Sequence, residues 1–172
     1  MAEQDVIPPV IAVDFDGTIT IGDTFPNIGK INPLAKWCLN ALAEAGFCII
    51  IFTCREGILI EQAEQFLQRE GVSYMHINRN CRVRVDYYGS DCTKVGATAY
   101  IDDRCVSFIS KGIDWNHVYK TVMVNYGTWA SLWKGRVCRH CEGFGKSYPQ
   151  RQDLRGCCGD GIADMGYAEI RQ

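Results

Sequence analysis

The chain has 172 residues, of which 47% are hydrophobic and 22% are charged, and its formal net charge is −2. These values are ordinary for a globular protein, and the length suits one domain with a substantial core and a small appendage. No apolar run is long enough to span a membrane, and the acidic N-terminus does not fit a signal peptide. We therefore expect a cytoplasmic protein without a membrane partner.

Charge and cysteine content divide the chain into two parts. Residues 1–133 carry 11 Lys and Arg against 15 Asp and Glu, whereas residues 134–172 carry seven against five and are rich in Cys and Gly. We interpret the first part as the folded core and the second as a tail. An acidic core that binds an anionic substrate needs a metal ion or local cations. The positive excess of the tail is too small to predict nucleic-acid binding.

The apolar, β-branched run from Val10 predicts a buried strand, and Asp14 and Asp16 follow at its end. Because a buried strand does not tolerate unpaired charge, we expect both carboxylates at the carboxyl edge of the sheet. Gly17 allows a sharp turn that separates the two side chains. Two acids at one strand end indicate a hard-cation site with a nucleophile or proton shuttle, or else an Asx-type turn capped by Asp and Thr.

Glycine, proline and apolar spacing predict the later elements. In chain order they begin with a loop or small hairpin over Ile19–Asn32, a helix from Pro33 ended by Gly46, and a strand over Phe47–Phe52. A helix follows over Ile58–Glu70, with Ile58, Ala63, Phe66 and Leu67 inward. After it come a third strand or extended segment over Val72–Ile77, a functional loop over Asn78–Thr93, a strand over Ala97–Ile101, and a last strand over Val118–Val124. Strands that alternate with helices favour an α/β fold with a doubly wound parallel sheet. Three arginines of the functional loop either contact the leaving group of a substrate or form a solvated surface: Arg79, Arg82 and Arg84.

Polar residues follow three of the predicted strands: Asp14 and Asp16 follow the first, Thr53 follows the strand over Phe47–Phe52, and Asp102 and Asp103 follow the strand over Ala97–Ile101. Lys94 lies just before this last strand. Since parallel strands share a carboxyl edge, we expect these groups to converge in one crevice. Four carboxylates at one edge repel each other, which a bound divalent cation resolves. A lysine and a threonine hydroxyl beside that cation form a phosphate pocket.

The run Asp14-Phe15-Asp16-Gly17-Thr18, with Thr53, Lys94 and Asp102-Asp103, resembles the four motifs of the haloacid dehalogenase superfamily in order and strand context. More narrowly, the segments 52–57 and 100–104 look like those of its small capless bacterial phosphatases. The resemblance implies a Rossmann-like fold and a Mg²⁺-dependent phosphomonoester hydrolase.

The same resemblance implies a role for each residue. Asp14 is the nucleophile that forms an aspartyl-phosphate, and Asp16 protonates the leaving alcohol and then deprotonates water. Magnesium is held by the Asp14 carboxylate, the backbone carbonyl of Asp16, and Asp102 or Asp103, between which spacing does not decide.

The phosphoryl oxygens are held by Thr53 and Lys94 in this scheme. Gly17, Thr18 and Arg55 are further substrate-binding candidates, and Arg55 alternatively forms a surface ion pair.

The segments between the motifs are too short to hold a cap domain. We therefore expect an open site that admits a large or polymeric substrate, or one covered by a neighbouring subunit of a homo-oligomer or by the tail. The candidate substrates are a phosphorylated small molecule and a nucleic-acid end. A non-catalytic module whose tail engages RNA or protein is the alternative, and the intact motif residues argue against it. A receiver-type signalling domain is disfavoured because its paired acids precede the phosphate acceptor.

The tail contains Cys138 and Cys141 in a C-x-x-C-x-G-x-G unit that resembles one repeat of the zinc domain of the DnaJ chaperones. The second half keeps Cys157 but has Leu154 where the first cysteine of the repeat belongs. The fourth ligand is then Cys158 or His140. The resemblance implies a structural zinc ion, and the alternative is a Gly-rich tail with free thiols.

Overall fold

The computed structural model describes residues 7–22, 25–109 and 111–134. In chain order its elements are β1 (Val10–Val13), β2 (Thr20–Ile21), β3 (Lys30–Ile31), α1 (Pro33–Ala45), β4 (Cys48–Ile51), α2 (Ile58–Glu70), β5 (His76–Ile77), α3 (Arg82–Tyr88), β6 (Ala99–Ile101) and α4 (Trp115–Lys134). Four of the strands form one sheet in the order β5-β4-β1-β6. All its neighbouring strands are parallel.

The first strand is central in this sheet, so its end has a partner on each side. Val13 is in register with Ile51 of β4 and with Ile101 of β6. Beyond the strand, the backbone N–H of Asp14 donates to the Ile101 carbonyl at 2.9 Å, and the N–H of Phe52 donates to the Val13 carbonyl at 2.8 Å. The residues that follow β1, β4 and β6 therefore leave the sheet at one edge.

Alternate residues of a strand point to opposite sides of the sheet, and both sides of β1 are apolar. Helices cover both faces of the sheet and bury these residues. Ile11 and Val13 pack in a core with buried residues of α1, α2 and α4. Val10 and Ala12 pack on the other face with Val83 of α3 and other apolar residues. The predicted α/β fold is thus confirmed as a parallel sheet flanked by helices, which is consistent with a Rossmann-like fold.

The structure confirms the predicted boundaries of α1 and α2. The side chain of Asn32 accepts hydrogen bonds from the N–H groups at the start of α1, and the helix ends at Gly46, whose φ is 108°. A Cβ at Gly46 would lie 2.4 Å from the Ala130 carbonyl, so glycine also allows α4 to approach. The second helix ends at Gly71, as predicted. Ile58 was wrongly placed inward, since it is 63% exposed in the first turn of α2.

Two other predicted elements are wrong. Residues 118–124 lie within α4, whose buried residues Trp115, Val118 and Val122 recur at helical spacing while Val124 faces solvent. The β-branched residues suggested a strand, but this spacing allows the segment to cover the sheet as a helix. The predicted functional loop over 78–93 contains the short helix α3. The strand predicted over Val72–Ile77 is shorter in the structure, because only His76–Ile77 (β5) pairs with β4.

The segment after β1 forms the small hairpin that was offered as one alternative. Its two strands, β2 and β3, pair in antiparallel fashion. Among the helices of the described ranges, none has the length and apolar character needed to cross a lipid bilayer.

Candidate active site

Three carboxylates meet at the carboxyl edge of the sheet. Asp14 follows the central strand, and Asp102 and Asp103 follow the neighbouring strand β6. Each of the three offers an oxygen, and these oxygens all lie within 4.8 Å of one another. This is a spacing at which one divalent cation can bind oxygens from all three residues.

A wide turn over Phe15–Ile19 shapes this cluster. The backbone N–H of Thr20 closes the turn on the Phe15 carbonyl. Inside the turn Gly17 has a φ of +74°, and a Cβ there would lie 2.7 Å from Oδ2 of Asp103. Two separate reasons therefore favour glycine at position 17: the backbone conformation and the close approach of the Asp103 carboxylate.

The buried side chain of Thr18 connects two of the carboxylate residues. Its Oγ1 accepts the backbone N–H of Asp103 at 3.0 Å. Its hydroxyl also hydrogen-bonds the Asp14 carboxylate. Gly17 and Thr18 were predicted to bind substrate, but in the structure their contacts are to the carboxylate residues.

The electrostatics of the cluster suit a cation. Burial raises the pKa of Asp14 from 3.8 to about 6, and the charges of Asp102 and Asp103 add to the rise, while hydrogen bonds from Thr18 and the Phe15 backbone lower it. Oδ1 of Asp103 is buried and has no hydrogen-bond partner among the described residues. An unpartnered buried carboxylate oxygen beside two other acids is the donor set that a hard divalent cation completes.

The Asp16 side chain is held by Arg55 rather than in the cluster. Arg55 Nε donates to Asp16 Oδ2 at 2.8 Å, and Arg55 Nη2 donates to Oδ1 at 2.6 Å. The turn at Gly17 thus separates the two acids of the motif. The position of the Asp16 side chain is compatible with the prediction that only its backbone carbonyl is a metal ligand.

Arg55 is enclosed by protein on all sides. Its remaining hydrogen bonds go to the carbonyls of Pro26 and Asn27, both at 2.9 Å. Its guanidinium lies over the rings of Phe15 and Phe25, with distances of 5.2 and 5.3 Å to the ring centroids. Because Arg55 is 0% exposed, it is neither a surface ion pair nor placed to contact substrate here, which corrects both readings of it.

Thr53 lies buried at the same edge, after β4, and Asn78 holds its backbone. The side chain of Asn78 accepts the Thr53 N–H at 2.8 Å and donates to the Thr53 carbonyl at 2.7 Å. Oγ1 of Thr53 accepts the N–H of Arg55, which leaves the hydroxyl proton available for a ligand oxygen. Sequence reasoning missed Asn78, although it is a polar residue directly after a strand, the signal that singled out the other site residues.

The ammonium of Lys94 lies over the ring of Tyr100, 5.1 Å from its centroid. Within the described part of the chain, Lys94 forms no ion pair, and its side chain is exposed. The structure therefore does not bring Lys94 into contact with Asp14. A phosphate role for Lys94 requires that its side chain turn from the ring.

Two of the loop arginines have structural contacts. Arg84 donates to the Pro8 carbonyl and to Oγ1 of Thr98, and Arg82 pairs with Asp86 on the exposed face of α3. Arg82 thus fits the predicted solvated surface, whereas Arg84 has structural contacts that neither alternative gave it.

The predicted zinc ligands fall in residues 135–172, which lie outside the described residues. These are Cys138, Cys141, Cys157 and Cys158. The zinc site and the role of the tail stay predictions.

No protein-family model matches the chain, and no curated protein matches it. Among solved structures, the chain is similar to a conserved protein from Bacteroides thetaiotaomicron, with 32% sequence identity and a TM-score of 0.56. The match covers 69% of this chain and 91% of that one. The description of that protein names no activity. The chain belongs to the same family as this conserved Bacteroides thetaiotaomicron protein.

Proposed function

We propose that the protein is a Mg²⁺-dependent phosphomonoester hydrolase, a capless phosphatase of the haloacid dehalogenase type, that works through an aspartyl-phosphate on Asp14. The observation that carries this proposal is the convergence of Asp14 with Asp102 and Asp103 at the end of the central strand, with oxygens within 4.8 Å of one another. The polar residue Thr53 follows the neighbouring strand at the same edge.

In the first half of the reaction, a carboxylate oxygen of Asp14 attacks phosphorus and forms an O–P bond. The bond from phosphorus to the alcohol oxygen breaks, and its electron pair stays on that oxygen. The Asp16 carboxyl gives its proton to this oxygen, so that a neutral alcohol leaves.

In the second half, a water oxygen attacks the same phosphorus, and the bond from Asp14 to phosphorus breaks. One water proton passes to the Asp16 carboxylate, and hydrogen phosphate leaves. Asp14 is again a carboxylate, and the proton that Asp16 has taken up is the one it gives to the next leaving oxygen, so the cycle closes.

The donor set fits magnesium, a hard cation that prefers carboxylate and carbonyl oxygens. Asp14 and one or both of Asp102 and Asp103 would hold it, and the buried, unpartnered Oδ1 of Asp103 supports this assignment. When bound, the cation supplies positive charge next to the phosphoryl oxygens. A cation held by these residues would also favour the charged form of Asp14, whose pKa is raised by burial and by the charges of Asp102 and Asp103.

The segments around the site support an open, capless edge. Between Thr18 and Phe47 the structure holds the β2–β3 hairpin and α1, and between Arg55 and Lys94 it holds α2, β5 and α3. Neither segment has the size of a separate domain. The alcohol part of the substrate then extends from the sheet edge, which suits a phosphorylated small molecule and a phosphorylated nucleic-acid end alike.

The test is phosphate release from 4-nitrophenyl phosphate by the full-length protein, with MgCl₂ and with EDTA. We expect Mg²⁺-dependent turnover that Asp14→Asn abolishes. Asp86→Asn is the matched control, because Asp86 is an exposed acid on α3 and its loss should leave turnover unchanged. A panel of nucleotides, sugar phosphates and 3′- or 5′-phosphorylated oligonucleotides then separates the substrate classes. A folded wild-type protein that releases no phosphate from any of them contradicts the proposal and favours the binding module.

A further inference from the structure

The proposed reaction gives no role to Arg55. It is among the largest fully buried side chains described, and it is charged. Burial of an isolated charge costs several kcal/mol, so a guanidinium persists in such a place only where its hydrogen bonds are satisfied. Its bidentate partner is Asp16, the residue assigned to proton transfer. We propose that Arg55 is a positioning residue that orients the Asp16 carboxylate for the hydrolysis of the aspartyl-phosphate; this inference rests on the proposed function.

The orientation follows from the two parallel hydrogen bonds. A guanidinium that donates through Nε and Nη2 to both oxygens of a carboxylate fixes the plane of that carboxylate. Each Asp16 oxygen still has an unused lone pair, and the side chain is 29% exposed. The Asp16 carboxylate is therefore fixed in orientation and still open to solvent, so that it can accept a proton from a water molecule.

The guanidinium is itself held by the hairpin and the turn. Two backbone carbonyls between β2 and β3, those of Pro26 and Asn27, accept from its Nη groups. Phe15 of the turn and Phe25 of the hairpin loop both lie against it. Lysine at this position would keep the charge but lose the fork geometry and most of these bonds, so Arg55→Lys removes the orientation specifically.

The two halves of the reaction respond differently to this loss. With 4-nitrophenyl phosphate the departing phenolate is a good leaving group, so formation of the aspartyl-phosphate needs little help from Asp16. Hydrolysis of the intermediate still needs a base for the attacking water. Loss of orientation at Asp16 should therefore slow the second half and leave the first nearly unchanged.

The experiment is a rapid-mixing measurement of nitrophenolate release by the full-length protein with MgCl₂. In Arg55→Lys we expect a burst that approaches one nitrophenolate per site and a steady-state rate lower by about 10–100-fold, with the burst rate changed by less than about threefold. Asp16→Asn should give the same pattern, and adding Arg55→Lys to it should change little, because both substitutions act on one proton transfer.

Arg69→Lys is the matched control. Arg69 also pairs with a carboxylate, Glu70, and lies over a phenyl ring, that of Phe66, but it is on the exposed end of α2. We expect neither burst nor steady-state rate to change in this variant. A purely structural role for Arg55 would instead lower the burst and the steady-state rate together.

A milder variant keeps the inference testable if Arg55→Lys does not fold. Phe25→Leu removes one ring from the guanidinium at a residue that is 55% exposed, and Phe25 makes none of the hydrogen bonds of that guanidinium. We expect a higher ratio of burst rate to steady-state rate, in the same direction as Arg55→Lys. An unchanged ratio in the folded variants overturns the inference while the proposed function stands. A wild-type protein without Mg²⁺-dependent release overturns the proposed function and this inference with it.

Discussion

The backbone N–H of Asp103 donates a hydrogen bond to Oγ1 of Thr18 at 3.0 Å, across 85 residues of chain. Because the Thr18 hydroxyl also hydrogen-bonds the Asp14 carboxylate, one buried side chain connects the acids from two neighbouring strands. The geometry of the carboxylate cluster therefore depends on the turn after β1 as well as on the sheet.

Thr18→Val tests this connection. The substitution keeps the shape of the side chain but leaves the Asp103 N–H unpaired and removes a donor from Asp14, so we expect a loss of about 1–3 kcal/mol in the free energy of unfolding. Chemical denaturation measures it. Thr18→Ser keeps the hydroxyl and should lose much less stability, whereas a Thr18→Val protein as stable as the wild type would contradict this role of the hydroxyl.

Gly17→Ala tests the approach of Asp103 to the turn. The positive φ alone should cost about 1 kcal/mol of stability, and the new Cβ would also displace the Asp103 carboxylate, which lies 2.7 Å from its position. We expect Mg²⁺ affinity to fall by about tenfold or more in a calorimetric titration. Gly89→Ala is the control, since Gly89 has a φ of +67° and nothing within 4 Å of an added Cβ. Gly89→Ala should also lose about 1 kcal/mol of stability, from the positive φ, and keep the Mg²⁺ affinity of the wild type.

Asp14→Asn should stabilise the metal-free protein. Asp14 is partly buried near two other acids, so its charge is unfavourable to the fold in the absence of a cation. We expect a gain of about 1 kcal/mol in EDTA by chemical denaturation and loss of the stabilisation that MgCl₂ gives the wild type. Asp86→Asn, on the exposed face of α3, should change stability by less than about 0.5 kcal/mol. A destabilised Asp14→Asn protein would contradict the electrostatic account.

The raised pKa of Asp14 should also be visible in the pH dependence of the free energy of unfolding. The folded-state pKa of Asp14, about 6, is above its ordinary value of 3.8, so the folded protein binds this proton more tightly than the unfolded chain does. The contribution of Asp14 to stability is full below pH 3.8 and is lost as the pH rises through about 6. The advantage of Asp14→Asn over the wild type in EDTA should therefore grow over this range. Parallel stability curves for the two proteins would exclude the raised pKa.

The strand ends were the informative signal in the sequence. Apolar runs that stop abruptly at Asp14, Thr53 and Asp102 indicated a shared edge, because charged and polar groups leave a buried sheet at its ends. The same rule applies to Asn78 after β5, but the short strand before it pairs over only two residues and gave a weak pattern. The helix in 115–134 was misread because β-branched residues are common to strands and to buried helix faces.

Sequence alone determined which residue types stand at the strand ends, where α1 begins, and where α1 and α2 end, because capping groups and turn glycines act over a few neighbouring positions. Only the tertiary structure decided how the four acids divide, with Asp14, Asp102 and Asp103 together and Asp16 on Arg55. That division depends on the conformation at Gly17 and on a guanidinium enclosed by residues distant in the chain. Local pattern carries no information about such contacts, since they exist only once the sheet, the turn and the hairpin have packed against one another.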